Sequence, residues 1–228
     1  MRSVPSGHPQ GVAREGRPSP LRRAVPWGAW CLGLVSLLLS ASCAWPHEAP
    51  RGSPSTMVRQ AIEGPAPEVV LMDQAGQPLA LRDLRGKVVL LAFIYSACAE
   101  VCPLITAAMT GLQQHLTARE RPDVFFLSVT VEPEVDTPAV LRAYAERHGA
   151  DLTSWAFMTG SPQAVQAVWQ AFGLTVKRRA AGEVDHPAWT FLIDREGIVR
   201  YRYLGGALEV ETVLDDIRQL GAAAQARP

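Results

Sequence analysis

Apolar positions along the chain fall into short continuous runs that alternate with segments of helical spacing. Residues 88–93 and 124–131 are nearly all apolar, which is typical of strands buried on both faces of a sheet. After Pro103, apolar side chains recur at helical intervals up to about Glu120, which predicts a helix. The same alternation predicts helices that open at Thr137-Pro138 and Ser161-Pro162, strands over 155–158, 190–193 and 198–203, and a last helix over 208–220.

A hairpin precedes this alternation. Residues 68–72 and 78–81 flank a polar segment that contains Gly76, which predicts two strands joined by a turn. The complete order of elements is strand-helix repeated three times, then two strands and a helix. It predicts an α/β fold, a mixed sheet with helices on both faces. This order is typical of a thioredoxin-like fold, here with an N-terminal hairpin addition.

The chain before the hairpin has a different organisation. Residues 1–26 are rich in Pro, Gly, Ser and Arg without periodicity, which predicts disorder. Residues 27–45 are mostly apolar and follow a pair of arginines, which is the layout of a signal peptide. The five residues that end at Cys43, Leu-Ser-Ala-Ser-Cys, resemble a lipobox whose large apolar residue stands one place early, so Cys43 is a candidate for lipidation. A retained membrane anchor is the alternative, because the apolar stretch is long enough to cross a bilayer.

Either alternative predicts an exported protein anchored at the periplasmic face of the cytoplasmic membrane. Residues 46–66 again collect Pro, Ser and Gly, which is typical of a linker. Residues 67–221 are then expected to form one domain, followed by a flexible tail over 222–228. The formal net charge of the 228-residue chain is zero, so we expect no nucleic acid among its partners.

Cys98 and Cys102 are the candidate working groups. They lie in Tyr-Ser-Ala-Cys-Ala-Glu-Val-Cys-Pro, between a buried strand and the following helix. A helix N-terminus favours thiolate over thiol, so we expect a lowered pKa for both cysteines. Such a pair can chelate a soft metal or form a redox-active disulfide, which export would permit. A structural disulfide is the alternative, although a bridge over so short a loop would constrain the unfolded chain little.

His186 is the candidate third metal ligand. It precedes the strand over 190–193, and in a thioredoxin-like sheet this loop faces the helix that bears the cysteines. Two thiolates and one imidazole suit Cu(I), and with a further oxygen ligand they accept Cu(II). Zinc would require a fourth protein ligand for a closed site. As an alternative, a lone histidine is often a surface or core residue.

Charged residues surround this histidine in the sequence. Asp185 is a candidate hydrogen-bond acceptor that would orient the ring of His186. Lys177-Arg178-Arg179 forms a basic run beside the expected site. We interpret that run as solvated surface, with recognition of a partner as the alternative.

Three motifs of the sequence resemble the Sco/SenC family of copper chaperones. They are the cysteine motif, the segment Ser-Val-Thr-Val-Glu-Pro-Glu-Val-Asp-Thr-Pro over 128–138, and Val-Asp-His before Phe-Leu-Ile-Asp over 184–194. The resemblance covers about residues 67–220 and implies that Cys98, Cys102 and His186 bind copper. It also implies assembly of the binuclear copper centre of cytochrome c oxidase. The implied partners are a copper-accepting oxidase subunit and other copper chaperones.

The chain departs from the family pattern at three positions in these motifs, none of which is an implied ligand. Ala99 stands where Pro is common, and Glu100 and Glu132 each replace an Asp. We expect these changes to affect redox tuning more than copper binding. The rival function is enzymatic, a thiol-disulfide reductase that uses only the cysteine pair. A thiol peroxidase is disfavoured because the usual Thr-x-x-Cys context is missing from the cysteine motif.

Overall fold

The computed structural model of the protein describes residues 57–179 and 184–225. The strands, in chain order, are β1 (Val58–Pro65), β2 (Val70–Met72), β3 (Pro78–Ala80), β4 (Val88–Ile94), β5 (Val124–Thr130), β6 (Trp155–Met158), β7 (Lys177–Arg178), β8 (Val184–Asp185), β9 (Trp189–Ile193) and β10 (Ile198–Leu204). The helices are α1 (Val101–His115), α2 (Pro138–Arg147), α3 (Pro162–Ala171) and α4 (Val210–Gln225).

A mixed sheet with the strand order β1-β10-β9-β4-β5-β6 forms the centre of the fold. Strands β4, β5 and β6 are parallel, whereas β9, β10 and β1 join them as successive antiparallel neighbours. The predicted hairpin is present as β2 and β3, which pair with each other outside this sheet. The predicted thioredoxin-like α/β architecture is therefore confirmed. Because β4 and β5 are parallel neighbours, the loops that follow them lie at the same edge of the sheet.

Strand β4 shows why helices cover both faces. All seven of its residues are buried, and they point alternately to two separate hydrophobic clusters. One cluster packs the sheet against α1, α2 and α4, and the other packs it against α3 and the β2–β3 hairpin. The side chains of Thr137 and Ser161 cap α2 and α3 by accepting hydrogen bonds from Val140 N and Ala164 N.

Strand β1 lies within the segment predicted as a linker, so the folded domain includes residues before the predicted start at Pro67. It pairs with β10 at the edge of the sheet, and most of its side chains are exposed. The guanidinium of Arg59 donates hydrogen bonds of 2.7 and 2.6 Å to the two carboxylate oxygens of Asp216 in α4. Asp216 is buried and also accepts a 2.7 Å hydrogen bond from the hydroxyl of Tyr203. This buried carboxylate therefore joins the first strand to the last helix.

Other boundaries also differ from the predicted ones. Helix α1 begins at Val101, so that Cys102 lies in its first turn, and α4 continues to Gln225, within the predicted tail. The short hairpin of β7 and β8 was not predicted from the sequence. The expectations for residues 1–26, 27–45 and Cys43 concern residues outside the described part of the chain. No helix within the described ranges is both long and apolar enough to cross a membrane.

Candidate metal and redox site

The two cysteines lie where β4 leaves the sheet and α1 begins. The backbone N–H of Cys98 donates to the carbonyl of Tyr95 at 3.2 Å, and that of Cys102 donates to Cys98 Sγ at 3.3 Å. Both side chains are free thiols. Cys98 is half-buried at the surface, whereas Cys102 retains only 1% of its exposure. A partner that approaches from solvent therefore meets Cys98 first.

The environments of the two thiols shift their pKa values in opposite directions. Burial raises the pKa of Cys98, but hydrogen bonds from the backbone and thiol of Cys102, and from the N–H groups of Glu100 and Val101, outweigh it, so the net shift is downward. Burial, the contact with Cys98 and the charge of Asp136 raise the pKa of Cys102 strongly. The prediction that the helix N-terminus favours both thiolates is therefore correct for Cys98 and wrong for Cys102. At Cys102 the cost of burying a charged sulfur outweighs the stabilisation that the helix N-terminus gives to the thiolate.

A buried carboxylate fixes the loop that carries the cysteines. Asp136 is fully buried in the segment between β5 and α2. It accepts hydrogen bonds from the backbone N–H of Ser96 at 3.2 Å and from the hydroxyls of Ser96 and Thr130. Because Ser96 lies two residues before Cys98, these contacts hold the cysteine loop against the end of β5.

His186 faces the same cavity as both cysteines. This cavity has a volume of about 530 Å³, and its lining includes Cys98, Cys102 and His186. The centroid of the His186 ring lies 6.0 Å from that of Tyr95, in an edge-to-face arrangement. Burial lowers the pKa of His186, against smaller raising effects of the Pro187 carbonyl and Asp185, so the neutral imidazole is favoured at neutral pH.

Tyr95 connects the cysteine loop to the segment that carries His186. Its ring packs against His186, and its hydroxyl lies near the thiol of Cys98 and the backbone of Val184. Burial and the neighbouring thiol raise the pKa of Tyr95 to about 12, so the hydroxyl keeps its proton at neutral pH. Tyr95 therefore places a protonated hydroxyl beside the cysteine loop.

Asp185 does not hydrogen-bond the ring that it was expected to orient. Its exposed carboxylate forms a 2.9 Å ion pair with Arg179, and this hydrogen bond holds the pKa of Asp185 below its usual value. The Nδ1 atom of His186 instead lies 3.1 Å from the carbonyl oxygen of Pro187. Within residues 57–179 and 184–225, no three His, Cys, Asp or Glu side chains are grouped closely enough to hold a metal ion. The three expected ligands thus share a cavity without forming a closed coordination group.

Three residues of the site were not predicted to have a role in it. Tyr95 and Asp136 were noted only as parts of motifs, and Arg178 was interpreted as solvated surface. Each makes its contacts with residues far away in the sequence, as between Asp136 and Ser96 or between Arg178 and Glu132.

The fold and the site define a class, that of thioredoxin-like domains with a helix-terminal dithiol and a histidine on the same cavity. The family model for SCO1/SenC matches residues 65–222. This chain belongs to the SCO1/SenC family.

Individual relatives agree with this assignment. The SCO1 protein homolog of Bacillus subtilis (strain 168) is 34% identical over 136 residues, which are 58% of this chain and 70% of that protein. A protein of Stutzerimonas stutzeri that is named as copper-binding is 30% identical over 120 residues, which are 53% of this chain and 57% of that protein.

Solved structures show the same fold. A SCO1/SenC family lipoprotein from Bacillus anthracis str. Ames superimposes with a TM-score of 0.64 at 30% identity, covering 71% of this chain and 97% of that one. BsSco is a member of the Sco family of cytochrome c oxidase assembly proteins, in which a disulfide switch has been identified. It superimposes with a TM-score of 0.62 at 27% identity, covering 72% of this chain and 98% of that one.

Proposed function

We propose that this protein is a copper metallochaperone that delivers copper to, or prepares, the binuclear copper centre of cytochrome c oxidase. The observation that carries the proposal is the shared cavity of Cys98, Cys102 and His186. Two thiolates and an imidazole form a soft donor set that suits copper. Copper binding in the Stutzerimonas stutzeri relative and oxidase assembly by the family of BsSco support the same function.

The protonation states of the three groups suit a site that loads copper with release of protons. His186 favours the neutral imidazole that a metal requires, and Cys98 has a lowered pKa. Cys102 remains protonated until a metal ion displaces its proton, because its pKa is raised. Copper affinity should therefore rise with pH, since binding releases the thiol protons.

Copper binding would also require a local closure of the site. The three side chains line the cavity without being grouped as metal ligands. His186 lies in the connection between the two-residue strand β8 and β9, so this closure would take place by a movement of that connection. We propose that copper itself selects the closed arrangement.

The proposed partners are an oxidase subunit that accepts copper and other copper chaperones. A membrane tether would keep the domain near such a subunit. The lipoprotein from Bacillus anthracis supports a lipid at Cys43, and the apolar residues 27–45 fit either a signal peptide or an anchor. The proposed location is the periplasmic face of the cytoplasmic membrane.

Anaerobic copper titration of the reduced full-length chain tests this function. The wild-type chain should bind one copper ion per molecule, and Cys98→Ser or Cys102→Ser should abolish tight binding. His186→Ala should weaken it more than about a hundredfold, because loss of a ligand should exceed the cost of losing a group that only orients one. His115→Ala is the matched control, since His115 is exposed on α1 and contacts the carbonyl of Gly111. Equal copper affinity of wild type and His186→Ala would refute the proposed ligand set.

The different burial of the two thiols favours a second candidate function, that of a thiol-disulfide reductase. The Cys98 thiolate would attack one sulfur of a partner disulfide, forming a mixed disulfide and releasing one partner thiolate. Cys102, after losing its proton, would then attack Cys98 Sγ, release the second partner thiolate and leave a Cys98–Cys102 disulfide. The partner gains two electrons and this domain loses them. His186→Ala should leave this activity intact, so reduction of a disulfide-bonded peptide by that variant separates the two functions.

A further inference from the structure

The segment that carries His186 begins in the small hairpin of β7 and β8. In this hairpin Lys177 pairs with Asp185 and Arg178 pairs with Val184. Strand β8 ends at Asp185, directly before His186. A two-residue strand pair has little stability of its own, so its position over the cavity must depend on contacts with the rest of the domain.

Arg178 supplies such a contact with residues that do not line the cavity. Its guanidinium reaches Glu132 Oε1 at 3.4 Å and forms a second ion pair with Glu134. Glu132 retains only 7% of its exposure, whereas Glu134 is exposed. Burial and the charges of Asp136 and Glu134 raise the pKa of Glu132, and Arg178 opposes that shift. The positive charge of Arg178 therefore compensates the buried negative charge of Glu132, which would be poorly stabilised without it.

The segment that holds Arg178 is the one that also fixes the cysteine loop. The backbone N–H of Glu132 donates to Thr130 Oγ1 at 2.9 Å, and the hydroxyl of Thr130 donates to Asp136. Asp136 in turn accepts the hydrogen bonds of Ser96. A continuous series of contacts thus leads from the cysteine loop, through the segment between β5 and α2, to Arg178 and the hairpin.

Tyr95 closes this series on the cavity side. It precedes Ser96, and its ring packs edge-to-face against His186, directly after β8. Among the described residues, the hairpin is held by the buried side chain of Val184 and by the ion pairs of Arg178. Arg178 touches none of the proposed metal ligands, so its contribution can be measured separately.

We propose that Arg178 is a positioning residue for the copper site: its bonds to Glu132 and Glu134 hold the β7–β8 hairpin so that His186 stays opposite the cysteines. This inference rests on the proposed copper function, because it assigns a role to Arg178 through His186. It gives Arg178, one of the three basic residues over 177–179, a function within the domain. The acidic motif over 132–136 then supports both loops that carry proposed ligands.

The test is a double-mutant cycle for copper affinity in the full-length chain. Arg178→Gln should weaken copper binding roughly tenfold, which is typical when a group that orients a ligand is removed. In the His186→Ala background, Arg178→Gln should have no further effect, because its contribution passes through that ligand. Glu134→Gln, which removes an exposed partner, should weaken binding less and in the same direction. Arg178→Lys should restore part of the affinity, since lysine keeps the charge without the two-armed geometry.

Lys177→Gln is the matched control, because Lys177 is an exposed cation on the same strand, and it should bind copper like wild type. Electron spin-echo envelope modulation from the histidine nitrogen in the Cu(II) form should weaken in Arg178→Gln and persist in Lys177→Gln. Wild-type affinity in both Arg178→Gln and Glu134→Gln would overturn the inference and leave the proposed function intact. Equal weakening by Arg178→Gln with and without His186 would also overturn it. Failure of the wild-type chain to bind copper would overturn the proposed function itself.

Discussion

The two thiols of the site differ in their access to water and in their acidity. Cys98 is half-buried and receives backbone hydrogen bonds at the start of α1, whereas Cys102 is almost fully buried beneath it. Since the thiolate is the reacting species, the two cysteines should have different roles, Cys98 as the first contact and Cys102 as the second.

Alkylation with iodoacetamide should show this difference directly. In the reduced native protein, Cys98 should react with a pH midpoint below that of a free cysteine, because its pKa is lowered. Cys102 should stay unmodified at the same pH values, because its pKa is raised and its sulfur is buried. Mass mapping of the peptides checks both statements. Tyr95→Phe should shift the Cys98 midpoint upward, since a polar hydroxyl near the sulfur is lost.

Unfolded protein is the control for this experiment, and both cysteines should react there at ordinary pH values. Similar rates for Cys98 and Cys102 in the native protein would contradict the assignment of roles.

The cysteines and the histidine that line one cavity could be predicted as a group from the sequence, whereas the residues that support them could not. Cysteine and histidine side chains point to a small number of chemistries, so Cys98, Cys102 and His186 were predicted as a group. Tyr95 and Arg178 act through contacts that join distant parts of the chain. The prediction for Asp185 shows the opposite error. Asp185 was expected to orient His186, its neighbour in the sequence, but it pairs with Arg179 instead.

At the scale of elements, β1 pairs with β10 and is joined to α4 by an ion pair with the buried carboxylate of Asp216. It is an edge strand with mostly exposed side chains, so packing against the core gives it little stability. Arg59 reaches Asp216 with two hydrogen bonds, and its guanidinium also lies 3.9 Å from the ring centroid of Tyr201. These contacts compensate for the missing apolar face.

Asp216→Asn should therefore loosen β1. The amide keeps one acceptor for Tyr203 but loses the charge and one of the two bonds to Arg59. We expect the free energy of unfolding to fall by about 2 kcal/mol, which is typical of a buried polar group that loses a partner. Urea denaturation measures the change, and amide hydrogen exchange in β1 should accelerate more than in β4.

The neighbouring acid provides the control for this substitution. Asp215 lies on the exposed side of α4, and Asp215→Asn should leave stability within about 0.5 kcal/mol of wild type. Equal destabilisation by both substitutions would contradict a specific role of the ion pair.

Elements with a clear hydrophobic pattern could be predicted from the sequence, whereas elements without one could not. β4 and β5 were predicted nearly residue by residue, because a strand buried on both faces is a continuous apolar run. β1 has no such run, and its pairing depends on β10, which lies far away in the sequence. The β7–β8 hairpin has only two residues in each strand, so no periodicity could indicate it.

At the scale of the whole molecule, export is a sequence prediction that can be tested independently of the site. A fusion of alkaline phosphatase after Pro228 should be active in a bacterial host, because this enzyme requires the oxidising periplasm to form its disulfides. Removal of residues 1–45 should reduce that activity to background, and immunoblots should show similar amounts of both fusions. High activity of the shortened fusion would contradict the role assigned to the N-terminal segment.

The pairing of β1 places the start of this strand at the same end of the sheet as the cavity. Val58 pairs with Leu204, and Leu204 pairs with Trp189, which lies just after His186. Strand β1 thus begins at the end of the sheet that carries the cysteines and His186. If Cys43 carries the proposed lipid, the chain from Cys43 to Val58 could span at most roughly 50 Å, so the cavity would stay in a layer of that depth above the membrane. A copper-accepting protein in that layer would meet the proposed copper-loaded domain at an effective concentration of about one millimolar. Rapid, weak encounters would then suffice for transfer, and tight docking would only slow the release of the recipient.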